Sequence, residues 1–338
     1  MKEKAVMGFI GLLTALLITI TMVDVLGNAG KGELIEPNEN QSSSKVIDNS
    51  DSNNQNDVNG SNGNEDGDNN STDNNSGNKN PDEDVPDGIM VPAGASLSTR
   101  IMTPTGYTRT PSEEGSLTEF LRNYALKDDG SKVLLYDGTE KEKQTSHMAV
   151  FALPLEAKNL QQYADSVMRV YAEYYLKQKQ YEKIIFGYSD GFKAEYSKWI
   201  EGNRIAVTDS GSKWVKRAEY DESYESFQEY MRMVFAYAGI WTMKDESTSV
   251  EVAQAQVGDV FFDTSDGGKV VMIVDICENE DGKKAYLLAS GGKPAQEFVL
   301  LANPLHADDP WYYEEEIGGA VETPEFTFKE GSLRHLKY

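Results

Sequence analysis

Between residues 48 and 80 the chain is almost wholly Asn, Asp, Ser and Gly, and Val58 is its only aliphatic side chain. Such a stretch buries too little apolar surface to offset the entropy of ordering it, so it cannot join a core. Patterned apolar positions begin near Ile89, and the roughly 250 residues from there to Tyr338 suffice for one sizeable hydrophobic core. The expected organisation is an N-terminal segment at 1–30, a disordered acidic linker at 31–88 and a single globular domain at 89–338. A flexible coil of about 58 residues has a root-mean-square span of roughly 40 Å, so the linker reads as a tether.

Residues 5–23 are apolar apart from three threonines. As a helix they would rise about 28 Å, close to the roughly 30 Å hydrocarbon core of a bilayer. Lys2 and Lys4 precede this run, which favours a cytoplasmic N-terminus with everything after Asp24 outside. A cleaved signal peptide is the alternative, since Gly27-Asn28-Ala29 offers small residues at a suitable spacing. Signal cores usually run about 7 to 15 residues, so length favours a retained single-pass anchor. Either way the domain is exported, to the cell membrane or as a secreted protein. Cys277 is the only cysteine, which excludes an intrachain disulfide and a lipid-modified N-terminus.

The formal net charge is -24, and residues 31–88 alone hold 14 acidic against 3 basic groups. A chain this acidic has no basic face to neutralise phosphates, so nucleic acid and anionic lipid are excluded as partners. The membrane is expected to matter through the N-terminal segment only. His147, His306 and His335 are too scattered for a metal site, and the linker acids lack EF-hand spacing, so neither metal nor cofactor is indicated.

Within the domain, Ser116 and Glu119 form a capping pattern before a short helix, and Asn159 with Gln162 repeats it before a long helix reaching about Lys179. A third helix is expected over 224–238, ending at Gly239. Strands are expected at 133–136 and 148–153, then at 260–262, 270–277, 285–289 and 298–301 as an antiparallel meander. Helices followed by such a sheet give an α+β fold, with helices packed on an antiparallel sheet.

Several blocks carry a family resemblance. Leu160-Gln161-Gln162-Tyr163-Ala164-Asp165, Ala172-Glu173-Tyr174, Trp199 with Gly202, Gly258-Asp259-Val260-Phe261, Met272-Ile273-Val274-Asp275 and Pro294-Ala295-Gln296 resemble the bacterial family called domain of unknown function 4846. The resemblance runs from about Pro104 to the C-terminus. The passage from Gly258 into the valine-rich strand is also similar to NlpC-type cell-wall peptidases, which implies a papain-like fold.

A papain-like hydrolase holds a thiolate at a helix N-terminus and an imidazole on a facing strand. In the family pattern, as the resemblance implies, a cysteine follows Leu-Gln-Gln and a histidine follows the glycine before the valine strand. This chain has Tyr163 and Lys269 there, and Ser290 where a glutamine is expected. No catalytic residues are expected at these degenerate positions. Gln161, Gln162, Asp165, Asp275 and Gln296 match the pattern and, with Tyr163 and Lys269, are the candidates for lining a ligand cleft.

Each has a plainer reading: Tyr163 as core packing, Lys269 as a solvated strand end, Gln162 and Asp165 as helix capping, Cys277 as an inert buried thiol. The reading that follows is a membrane-tethered pseudoenzyme that binds a cell-wall peptide or another surface protein. An active cell-wall hydrolase or amidase using Lys269 with Ser290 or Ser166, and a purely structural surface protein, stay open as alternatives.

Overall fold

The computed structural model describes residues 88–338, so the expected anchor and almost all of the expected linker lie outside the described residues. No helix among the described residues is long and apolar enough to cross a membrane.

A short helix α1 (Leu97–Arg100) and strand β1 (Tyr107–Arg109) lead to helix α2 (Leu117–Arg122), strand β2 (His147–Val150) and the long helix α3 (Tyr163–Lys177). Two hairpins follow, β3–β4 (Ile185–Gly187 with Lys193–Glu195) and β5–β6 (Asn203–Thr208 with Gly211–Lys216), separated by helix α4 (Tyr196–Ile200). Helices α5 (Tyr224–Tyr237) and α6 (Ile240–Asp245) come next. The remainder is mostly strand: β7 (Ser247–Ser249), β8 (Val260–Asp263), β9 (Lys269–Asn279), β10 (Lys284–Ser290), β11 (Val299–Leu301) and β12 (Trp311–Tyr313). Helix α7 (Glu314–Ile317), hairpin β13–β14 (Val321–Glu322 with Thr327–Phe328) and β15 (Leu333–Leu336) complete it.

The main sheet runs β2-β11-β10-β9-β8-β15-β7, with β1 added to β9 and β12 to β10. Its pairings are antiparallel, so the expected α+β character and the expected 260–301 meander are present. The expected strand at 133–136 is not. Leu134 and Leu135 make only isolated bridges, to Glu140 and Gln296, because the turn at Gly138 folds the segment back at once.

β9 is central and its first residues feed two cores. Val270, Met272 and Val274 point to the face covered by α2, α3 and α5, where Val167, Met168, Tyr230 and Met231 are buried. Val271 and Ile273 point to the other face, with Phe261, Leu288, Ile317 and Phe328. Alternation at period two, with apolar residues at every position, is what a strand buried on both sides requires. Full burial of each such side chain contributes about 1.5–3 kcal/mol.

A β-bulge interrupts that alternation. Leu287 pairs with Asp275 and Leu288 with Ile273, which leaves Val274 opposite nothing and shifts the phase of the strand. Cys277 therefore lies with the first core and Ile276 with the second. The same shift turns Asp275 toward α2 and β1, where Arg122 Nε donates to Oδ1 at 2.7 Å and Arg109 Nε to Oδ2 at 2.6 Å. The carboxylate is fully buried and would otherwise face the second, apolar core.

Candidate functional site

Helix α3 begins at Tyr163, a turn later than the Asn159 pattern implies. The Leu160 and Gln162 N–H groups bond back to the Lys158 and Leu160 carbonyls, each at 2.7 Å, so the chain stays non-helical through the expected first turn. Gln162 takes the cap position, and its N–H donates to Asp165 Oδ2 at 3.3 Å. Asn159 Oδ1 accepts from the Ala295 N–H at 2.8 Å and from Gln162 Nε2 at 3.3 Å. The helix start is thereby tied to the loop that carries Gln296.

That loop crosses the helix closely. A Cβ at Gly291 would lie 2.3 Å from Ser166 Oγ and 2.9 Å from Ser166 Cβ. Only glycine allows the approach.

Lys269 is the first residue of β9, paired with Asp263 of β8. Its Nζ stands 5.6 Å from the centre of the Phe326 ring. The Tyr163 ring meets the same Phe326 edge-on, with centres 5.7 Å apart and planes at 87°. The two positions singled out from sequence do come together, and they meet on a third side chain.

Phe326 closes the turn between β13 and β14. Thr323 N–H and Oγ1 both donate to the Phe326 carbonyl, at 3.0 and 2.6 Å. Lys141 pairs with Glu325, and Lys143 Nζ donates to the Pro324 carbonyl at 2.9 Å. Beneath this tip lies a cavity of about 10 Å³, room for about one water, lined by Ser146, His147, Ser290, Gly291 and Gln296 among others. Burial holds the Tyr163 phenol above its ordinary value, with Glu325 adding to the effect and the Lys293 backbone opposing it. Burial lowers the His147 imidazole, nearby Lys141 adds to this, and the Ser131 carbonyl, 3.3 Å from Nε2, works against it.

The other expected site residues are dispersed. Gln296 lines the cavity, and so does Ser290, whose Oγ is spent donating to the Val270 carbonyl at 2.8 Å. Gln161 turns away: its Nε2 donates to the Pro154 carbonyl and its Oε1 accepts from the Glu156 N–H, which fixes the preceding loop. Asp275 is not in the cleft at all. It is six residues along β9 from Lys269, about 20 Å at strand rise, and serves the Arg109–Arg122 ion cluster.

Asp165 is buried beneath the helix start, its Oδ1 has no partner among the described residues, and burial pushes its carboxyl up to about 8. It acts in the helix cap as expected, and burial favours its neutral form there. Ser166 Oγ reaches only the Gln161 carbonyl, at 3.4 Å. Cys277 is buried on β9, and burial pushes its thiol up to about 12, with Asp275 adding to it. Among the described residues no group of three or more His, Cys, Asp or Glu side chains is gathered as a metal site would need.

Phe326 and Ser146 escaped sequence reasoning, and His147 entered it only as a metal-ligand candidate. The one local signal was Thr323-Pro324, a turn opener, followed by the alternation of Phe326 and Phe328.

Residues 97–335 match the family described as a domain of unknown function (4846), and the chain belongs to that family, as the Leu-Gln-Gln and Pro-Ala-Gln blocks implied. No curated protein and no solved structure matches the chain.

Proposed function

We propose that this family member is a membrane-tethered, extracytoplasmic pseudoenzyme with a papain-like (NlpC-type) arrangement, which binds a cell-wall peptide or another surface protein instead of cleaving it. The observation that carries this reading is the meeting of Tyr163 and Lys269 on Phe326. A helix start and a strand start meet on one ring, and in a papain-like reading the pair offers a phenol and an ammonium where catalysis needs a thiolate and an imidazole. The substitute serines weigh against the alternative enzyme, since Ser290 and Ser166 both direct their hydroxyls to backbone carbonyls. The apolar run at 5–23 and the acidic linker support the tether and the extracytoplasmic location.

Cosedimentation with purified cell-wall sacculi tests the reading. The full chain, recovered from the membrane pellet after a high-salt wash, should sediment with sacculi and release no soluble fragments. Fragment release would make it an enzyme, and a chain that neither binds sacculi nor stays in the membrane pellet would contradict the binding role.

A further inference from the structure

A cavity of about 470 Å³ opens beside β2, the last strand of the main sheet on that side. Sites that hold a small ligand or a peptide side chain usually measure about 300–1,000 Å³. The chain runs along the outer edge of β2 as far as Lys127, whose N–H donates to the Val150 carbonyl at 2.8 Å. A turn at Asp128-Asp129-Gly130-Ser131 then carries it away, closed by the Ser131 N–H and hydroxyl donating to the Asp128 carbonyl at 3.1 and 2.6 Å. It meets β2 again where the Ser131 carbonyl lies 3.3 Å from His147 Nε2. The cavity occupies the gap between these two contacts, and Asp128, Ser131, His147 and Val150 all line it.

Its walls are of two kinds. Met90, Pro92 and Met148 make an apolar side, and Asp128 and Asp129 make an acidic one. Asp129 Oδ1 takes Arg100 Nη1 at 3.4 Å, while the Asp128 carboxylate has no partner among the described residues. The cations that line the cavity are engaged elsewhere: Arg100 also donates to the Gly94 and Lys127 carbonyls, and Lys132 pairs with Glu140 at 4.0 Å. Burial lowers the His147 imidazole, so it does not offset the carboxylates at pH 7.

The strand contributes an open donor. Phe151 N–H donates to the Phe298 carbonyl at 2.9 Å, so the preceding residue, Val150, turns its N–H and carbonyl away from β11. The carbonyl is taken by Lys127. In a regular ladder the Lys127 carbonyl would accept from the Val150 N–H, but it takes Arg100 Nη2 at 3.3 Å instead, and the Val150 N–H has no partner among the described residues. Val150 is 2 % exposed, and buried backbone donors left open are rare.

We infer that this cavity binds a peptide residue bearing a primary amine on an aliphatic stem, lysine or another diamino acid. The stem lies along Met90, Pro92 and Met148, the ammonium meets Asp128, and a peptide carbonyl accepts from the Val150 N–H. A chain of net charge -24 draws a cation toward this acidic turn. The inference goes beyond the binding reading above, since it needs neither Tyr163 nor Lys269.

Met90 and Met148 supply the readout. With isotope-labelled methionine methyl groups in the full chain in detergent, their signals are assigned through Met90→Leu and Met148→Leu. The probe acetyl-Ala-Lys-Ala-amide, at about 10 mM, should shift both signals. Its norleucine analogue, with the stem but no amine, should bind about fivefold more weakly, and so should the lysine probe to Asp128→Asn. Asp128 is exposed on its turn, and a thermal melt confirms that the variant folds. No shift at either methionine, or equal binding of the lysine and norleucine probes, overturns the inference. A free diamine that binds as tightly as the peptide overturns its peptide part. Sacculus cosedimentation reads binding anywhere on the domain, so failure here leaves that result standing, and success here survives a failure there.

Discussion

The Tyr163 ring meets the Phe326 ring edge-on, 5.7 Å between centres, at the first residue of α3. An aromatic pair of this geometry contributes about 0.5–1.5 kcal/mol beyond its area burial. It joins the helix start to the β13–β14 turn, and it places a ring over any group introduced at residue 163. In the Tyr163→Cys, Lys269→His double variant, the new thiol should react with iodoacetamide about tenfold more slowly than in the same variant carrying Phe326→Ala. Equal rates, measured by mass spectrometry of the modified peptide, would show that Phe326 does not cover the site.

The Asp275 cluster should be a point of structural weakness. Asp275→Ala leaves the Arg109 and Arg122 guanidiniums part-buried with no carboxylate between them. Breaking a buried pair on one side costs about 3–5 kcal/mol, so urea denaturation should show a loss of that order. A loss below about 1 kcal/mol would mean that the cluster is not a buried ion pair in solution.

Asp165 should make stability depend on pH in an unusual direction. Its carboxyl is held near 8 in the fold by burial, against about 3.9 in an unfolded chain. Between those values the folded state keeps a proton that the unfolded state has lost, so stability falls as pH rises from about 4 through 8 and this contribution is level above. Asp165→Asn should match the parent near pH 4 and exceed it at pH 8 and above. Parallel stability curves for the two proteins over pH 5–9 would contradict the burial of this acid.

Cys277, buried and pushed up to about 12, should be silent toward thiol reagents. The native chain should release no thionitrobenzoate from Ellman's reagent, and the denatured chain one equivalent. Reaction in the native state would place the thiol near solvent.

The sheet was legible because β9 and its neighbours are buried on both faces and read as continuous apolar runs. The start of α3 was misplaced because the Asn159 side chain bonds to Ala295, far along the chain, and a local capping pattern carries no trace of that partner. Asp275 enters the cleft candidates through the family pattern alone, and the bulge that turns it toward Arg122 leaves no mark in a run of apolar residues. Tyr163 and Lys269 were found by resemblance, and the structure brings them together. Phe326, which joins them, lies in a turn whose partners outside its own hairpin are remote in sequence, so only the folded chain reveals its place.

The central claim is that the cleft lacks catalytic groups and is not merely blocked. Hydrolysis of cell-wall peptide amides by the unmodified chain and by its Phe326→Ala variant tests this most directly, because the variant removes the cover and leaves the chemistry as it is. Neither protein should turn over substrate above background. Turnover that emerges in Phe326→Ala and disappears with Tyr163→Phe or Lys269→Ala would contradict the account, and would make the domain an enzyme held shut by its own turn.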